Sequence, residues 1–131
     1  MRRWLLVAAA AAFAAGCSDQ GPVSGELSVR AATQFVGLRA VQFVVKGPVS
    51  GVTRPTGSGY QVFSDAPSGA DSTHVVVVSA PGTGLVAGEI ARIAVSDTRQ
   101  VRSYAAHVAA LSGASYNLLD TSLVVLTVVR P

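Results

Sequence analysis

The chain has 131 residues, of which 50% are hydrophobic and 13% are charged, and its formal net charge at pH 7 is +3. This length suits one domain with a substantial core, and a single cysteine excludes both a disulfide framework and a thiolate metal site. Basic and acidic residues are scattered singly, so the sequence lacks the basic stripe that phosphate backbones require, and we expect no nucleic-acid partner.

The N-terminus has the three-part layout of an export signal. Arg2 and Arg3 form a short basic start, and an apolar run of ten residues extends from Trp4 to Phe13 before a group of small residues. This run is shorter than the roughly 20 residues that a membrane-spanning helix takes. We therefore expect the segment to be cleaved rather than kept as a transmembrane anchor.

The small residues lead directly into the cysteine. The stretch Ala14-Ala15-Gly16-Cys17 resembles the lipobox of bacterial lipoproteins, in which a short apolar and small-residue triplet precedes a modified cysteine. The resemblance implies a signal peptide over residues 1–16, cleavage between Gly16 and Cys17, and acyl chains on Cys17. Two or more acyl chains anchor a protein stably to a membrane. The alternative is an ordinary secretory signal that leaves Cys17 as a free thiol.

The segment after the cysteine is polar and rich in turn residues. Residues 17–25 therefore read as the acylated cysteine followed by a flexible tether. Ser18 stands where an Asp would retain a lipoprotein at the inner membrane of enteric bacteria, so the resemblance favours the outer membrane of a bacterial envelope.

From residue 26 onward the hydrophobic pattern changes to alternation. Apolar residues at every second position place Leu27, Val29 and Ala31 on one face of a strand, and a second such set ends before Gly47. Residues 75–78 form a continuous β-branched run, which predicts a strand covered on both faces. That second set is Val41 to Val45, and the remaining segments with strand patterns are 60–63, 89–95 and 123–129.

One segment, 99–111, fits either a helix or a strand. Val101, Tyr104 and Val108 share a helical face, which Asp97 could cap, whereas Tyr104 and Val108 also alternate as in a strand. Strand patterns on both sides favour the strand.

Seven to nine short strands separated by Gly, Pro, Ser and Asp clusters predict an all-β fold. We expect residues 26–131 to form an antiparallel β-sandwich, either immunoglobulin-like or a jelly-roll. The stretches "GLRAVQFVVKGPVSGV" and "GEIARIAVSD" are similar to strands of the cohesin-like sandwich. This resemblance implies a nine-stranded jelly-roll that binds a partner protein.

A glycine-rich stretch follows the β-branched run. Gly82, Gly84 and Ala87 have the spacing of a dinucleotide fingerprint, but the following segment is too short for a helical crossover. We interpret it as a hairpin loop between two strands and assign no cofactor.

The histidines and carboxylates do not form a recognisable catalytic or metal motif. His74 is expected at a strand end, where it is either exposed or hydrogen-bonded, and His107 is expected on the solvent face of its segment. Asp65 and Asp71 could hold calcium across the 64–72 loop, although the spacing is not that of a calcium-binding loop. We assign no catalytic residue and no metal ligand.

The remaining candidates are aromatic. Phe43, Phe63 and Tyr104 lie in strand patterns and are expected in the core, whereas Tyr60 and Tyr116 follow Gly- and Ser-rich turns. An exposed aromatic ring can stack on the apolar face of a sugar. Tyr60 and Tyr116 are therefore the candidates for a carbohydrate platform.

These observations favour a non-enzymatic lipoprotein of the bacterial envelope, anchored through Cys17. Its sandwich would act as a protein-interaction or structural module. The alternatives are a carbohydrate-binding module and, in third place, a small envelope hydrolase with His74 or His107 in a cleft beside Ser and Asp.

Overall fold

The computed structural model describes residues 21–65, 71–80 and 82–131, which form two antiparallel sheets packed against each other. The predicted signal peptide 1–16, with Gly16, and the predicted lipidation site Cys17 lie outside the described residues. One sheet contains, in spatial order, the strands β3 (Gly51–Thr53), β6 (Gly88–Val95), β1 (Gly25–Ala32) and β9 (Val125–Val129).

The second sheet has five strands. In spatial order these are β4 (Gln61–Asp65), β5 (Ser72–Val78), β2 (Ala40–Lys46), β7 (Ala105–Ser112) and β8 (Leu118–Leu119). The prediction of an all-β, antiparallel sandwich is confirmed, with nine strands among the described residues.

The core lies between the sheets and follows the predicted alternation. Val41, Phe43 and Val45 from β2 face Leu27 and Val29 from β1, and each of the five side chains is at most 1% exposed. Alternate residues point to opposite faces of a strand, so one side of each central strand is buried while the other meets solvent.

The exposure of the outer face corrects the expectation that β5 is covered on both faces. Val75 and Val77 are fully buried, but Val76 and Val78 are only half-buried, so the strand is not covered on both faces. No further layer of the described residues packs on the outer face of the five-stranded sheet. A run of valines here reflects strand propensity on the outer face rather than burial.

The position of Phe63 corrects a second expectation, that this residue lies in the core. It pairs with Val76 across β4 and β5, so its side chain shares the outer face, and it is 58% exposed rather than in the core. Its neighbour Val62 pairs with Val77 and packs against the core. The strand has apolar residues at both positions, and its pairing with β5 turns Val62 rather than Phe63 towards the core.

The ambiguous segment 99–111 contains two elements rather than one strand. A 3-10 helix spans Thr98–Ser103, and β7 begins at Ala105. The Asp97 side chain caps this helix by accepting a hydrogen bond from the Arg99 amide at 3.1 Å. Tyr104, between the two elements, is buried as predicted.

The C-terminal strand is likewise shorter than predicted. A second 3-10 helix takes up Thr121–Leu123, and β9 begins at Val125.

Strand pairing gives the sandwich two distinct ends. Gly25 pairs with Val95 at the end where the described chain begins, which we call the N-terminal end. There the Asp97 carboxylate accepts a hydrogen bond from the Val23 amide at 3.3 Å, and the Thr98 amide donates to the Val23 carbonyl at 2.8 Å. The start of the domain is therefore fixed to the loop after β6.

The opposite end, which we call the distal end, is where β1 stops and β9 begins. Ala32 pairs with Val125 there. The segments that form this end are 33–39, 54–60, 79–80, 82–87 and 113–124.

A charged cluster covers part of the outer face of the four-stranded sheet. The Ser28 hydroxyl donates to Glu89 Oε2 at 2.5 Å, and Arg92 Nε donates to Glu89 Oε1 at 2.8 Å. Burial raises the pKa of the Glu89 carboxyl, but these hydrogen bonds and the charges of Arg92 and Arg30 outweigh it, and the pKa lies below its ordinary value.

Candidate functional site

A cleft of about 240 Å³ opens at the distal end of the five-stranded sheet. Its lining comes from four separate parts of the chain, namely Arg39, Gln61, Val78 with Ser79 and Gly82, and Tyr116. Among the described residues of this lining, Arg39 is the one that carries a charge.

Strand order brings these residues together. Gln61 pairs with Val78, Val78 pairs with Ala40, and Ala40 pairs with Ser112, so four adjacent strands reach this end in one row. The row extends by one step beyond the strands, because the Ser79 amide donates to the Arg39 carbonyl at 2.8 Å. Each functional side chain therefore sits on or beside a paired strand.

The Arg39 guanidinium supplies positive charge to the cleft. The structure describes one hydrogen bond from it, between Nη1 and the Thr83 carbonyl at 3.4 Å, and a guanidinium has five N–H donors. With no carboxylate in the described lining, the charge is not balanced within the cleft. The cleft can therefore accept an anion in bidentate fashion.

Ser79 is the buried polar residue of the lining. It is 6% exposed, and its Oγ has no hydrogen-bond partner within the part of the chain that the structure describes. A buried hydroxyl without a partner costs about 1–3 kcal/mol. Such a group needs a water molecule or a ligand hydroxyl to complete its hydrogen bonding.

Tyr116 forms the exposed wall. Its side chain is 75% exposed, and its backbone has φ of +58°, the only positive φ of a non-glycine residue in the described chain. The turn is closed by a hydrogen bond from the Tyr116 amide to the Gly113 carbonyl at 2.9 Å. A left-handed tyrosine costs on the order of 1 kcal/mol, and residues in such conformations are concentrated at functional sites.

The second predicted platform residue, Tyr60, takes a different position. It is half-buried against the core, its hydroxyl accepts a hydrogen bond from the Val86 amide at 3.3 Å, and it lines a separate cavity beside Val62 and Phe63. The two tyrosines lie at the same end of the sheet but do not line one cleft. Tyr60 is therefore a packing residue, while Tyr116 has the exposure that a platform needs.

Exposed apolar side chains surround another part of the distal end. Two adjoining hollows share Phe35 and Ala87; Val36 and Val86 line one, and Leu123 and Val125 line the other. Val36 is 89% exposed, and Val86 and Val125 are 64% and 60% exposed. We call this set of six residues the distal apolar rim.

Neither histidine is among the described residues that line the distal cleft or the two hollows of the rim. His74 and His107 both pair with Val44 on the outer face of the five-stranded sheet, and both are exposed, as predicted. His107 lines the open groove between β7 and β9, whose described lining contains no carboxylate. His74 pairs with Asp65 across β5 and β4, but no hydrogen bond in the described structure joins either histidine to a serine or an aspartate.

The loop predicted as a possible calcium site is only partly described by the structure. Asp65 ends β4 and pairs with His74, Asp71 precedes β5, and the loop residues 66–70 between them lie outside the described residues. Across the described ranges, no group of three or more His, Cys, Asp or Glu side chains comes close enough to hold a metal ion.

The glycine-rich segment around Gly82 and Gly84 is not a hairpin loop, which corrects that expectation. It connects β5 in one sheet to β6 in the other, and Leu85 forms an isolated bridge with Leu38 on the way. A hairpin requires neighbouring strands, and these two strands are not neighbours.

Comparison with known proteins adds no identification. No protein family matches the chain, and neither does any curated protein or solved structure. Among the described residues there is no helix with the length and apolar character needed to cross a membrane.

Sequence reasoning missed three of the cleft residues, namely Arg39, Gln61 and Ser79. Arg39 is the only one with a local signal, since it is a lone charge in the apolar stretch Leu38 to Val41. The others become recognisable only through the order of the strands.

Proposed function

We propose that the protein is a lipoprotein of the bacterial envelope whose β-sandwich is a non-catalytic interaction module presented away from the membrane. The observation that carries this proposal is the separation between the two ends of the domain. The chain enters at the N-terminal end through Val23, whereas the distal apolar rim lies at the opposite end.

The lipobox-like stretch supplies the first part of the proposal. Acyl chains on Cys17 would hold the N-terminal end near the lipid surface, on the outer membrane by preference, and the short tether would limit the distance between domain and membrane. The hydrogen bonds between Val23 and the segment 97–98 would keep the tether at this end.

The distal apolar rim supplies the second part. Contiguous exposed apolar side chains are rare on soluble monomers and are typical of interaction surfaces. The rim residues come from two connecting loops, the second 3-10 helix and the start of β9, which a rigid sandwich holds in place. A protein partner in the envelope would bury them.

A photo-crosslinking amino acid introduced in place of Val36 tests the proposal in cells. Arg102, which is exposed at the N-terminal end, is the matched control position. We expect one dominant adduct from position 36, little from position 102, and loss of the adduct in a Cys17→Ser background that no longer sediments with membranes.

Two results would contradict the proposal. If the Cys17→Ser variant sedimented with membranes as the unaltered protein does, the proposed lipid anchor at Cys17 would be contradicted. Equal adduct patterns from positions 36 and 102 would contradict a specific interaction surface at the distal end.

A carbohydrate-binding module is the second candidate, and the exposure of Tyr116 favours it. Tyr60 does not contribute to such a platform because its ring is half-buried and its hydroxyl is bonded to the Val86 amide.

A further inference from the structure

The distal cleft beside Tyr116 combines four chemical features that the interaction function does not use. The residues of its lining carry a guanidinium, an exposed aromatic ring, a buried hydroxyl without a partner in the described chain and an exposed side-chain amide. We propose that this cleft binds an acidic sugar, meaning a single pyranose unit that carries a carboxylate.

The charge of the ligand follows from Arg39. Its guanidinium is the one charged group in the described lining, and it is oriented by its hydrogen bond to the Thr83 carbonyl. A planar guanidinium matches the two oxygens of a carboxylate in bidentate geometry. The ligand therefore carries a negative charge, and a neutral sugar leaves this donor set unused.

The ring of the ligand follows from Tyr116. Folding alone does not explain a tyrosine that is three-quarters exposed and held at positive φ, where glycine or asparagine would fit without strain. An exposed tyrosine ring offers a flat apolar face of the kind on which the C–H face of a pyranose stacks. The turn places Tyr116 at the mouth of the cleft.

The hydroxyl groups of the ligand follow from Ser79 and Gln61. Ser79 lines the cleft and its buried Oγ lacks a partner in the described chain, so a ligand hydroxyl that reached this atom would complete its hydrogen bonding. Gln61 is exposed and offers both a donor and an acceptor to further hydroxyls.

The size of the cleft limits the ligand to one unit. Its volume of about 240 Å³ is below the range of about 300–1,000 Å³ that pockets for drug-sized ligands occupy. A nucleotide or a longer anionic chain would need more space and more than one cation. An acidic sugar, free or at the end of a chain, satisfies the charge, ring, hydroxyl and size constraints together.

The test uses the full chain, produced in a bacterium and purified in detergent micelles. Sugar binding is then measured with no membrane and no partner protein present, so its outcome is separate from that of the proposed function. Glucuronate is the probe, glucose is its neutral counterpart, and acetate represents the carboxylate alone. Titrations followed by amide NMR locate the site, and calorimetry gives the dissociation constants.

We expect glucuronate to shift the amide signals of Ser79, Gly82 and Tyr116, and to bind at least tenfold more tightly than glucose or acetate. Arg39→Gln should reduce the affinity for glucuronate by about tenfold or more without changing that for glucose. Tyr116→Asn, which suits positive φ, should weaken both sugars and leave acetate unchanged.

Two control variants lie outside the cleft. Tyr60→Phe removes a hydroxyl that lines the neighbouring cavity, and Leu118→Asn removes an 82% exposed side chain from β8, so neither should change the affinity for glucuronate. Equal affinity for glucuronate and glucose, shifts confined to residues outside the cleft, or unchanged binding in Arg39→Gln would overturn the proposal.

Discussion

Replacing Gly47 by alanine should severely destabilise the sandwich, because the position combines two steric restrictions. Gly47 follows β2 with φ of +113°, a backbone conformation that residues with a Cβ rarely adopt. A Cβ added there would lie 2.5 Å from Cδ1 and 2.7 Å from Cε1 of Tyr104. Real side chains do not approach this closely, so the Tyr104 ring would have to move.

The Tyr104 ring cannot move freely. It is 8% exposed within the core, and its hydroxyl donates a hydrogen bond to the Pro48 carbonyl at 2.7 Å. Backbone strain contributes about 1–3 kcal/mol, and forcing an extra methyl group against a packed ring contributes about 1–3 kcal/mol. We therefore expect Gly47→Ala to lower the free energy of unfolding by about 2–6 kcal/mol.

Two other glycines separate the two contributions. Gly57 has φ of +77° with nothing within 4 Å of an added Cβ, whereas Gly51 has neither a positive φ nor a close neighbour. Urea unfolding followed by circular dichroism should show a loss of about 1 kcal/mol for Gly57→Ala and a change within about 0.5 kcal/mol for Gly51→Ala. If Gly47→Ala cost no more than Gly57→Ala, the argument from the Tyr104 contact would be refuted.

Three further predictions use the same unfolding assay. Phe43→Ala should cost about 3–5 kcal/mol because the ring is fully buried, whereas Phe63→Ala should change stability by less than about 0.5 kcal/mol; equal losses would contradict the assigned faces of β4. Because the pKa of Glu89 lies below its ordinary value of 4.5, its ionised form stabilises the fold above that value, and this stability is lost as the pH falls through the folded pKa. Glu89→Gln should therefore cost about 1 kcal/mol at pH 7 and little at pH 2, and an equal cost at both pH values would refute the role of the charge. Asp97→Ala should lower the free energy of unfolding and accelerate hydrogen exchange of the Val23 amide, and an unchanged exchange rate would show that the carboxylate does not hold this segment.

The central strands could be predicted from sequence because each carries a strict alternation. Val41, Phe43 and Val45 can be buried together only on one face, and a shift by one residue would expose all three. The edge strand β4 could not be predicted as well, because it has apolar residues at both Val62 and Phe63. Only the pairing with β5 decides which of the two points inward.

The prediction for the segment before β7 failed for a different reason. Single residues such as Asp97 signal a helix start, but periodicity cannot show that the helix ends after two turns and that a strand follows. The 3-10 helix is too short to produce its own hydrophobic period.

The cleft was beyond sequence reasoning because its parts are joined by strand order rather than by spacing. Gln61, Ser79 and Arg39 come from segments that meet only because β4, β5 and β2 are neighbours in space. In the turn that carries Tyr116, the residues expected at positive φ are Gly113 and Asn117, whereas the structure has the tyrosine there. Tyrosine does not favour the left-handed conformation that it has here. This mismatch between local preference and observed conformation is a stronger indication of a binding site than the exposure of Tyr116 alone.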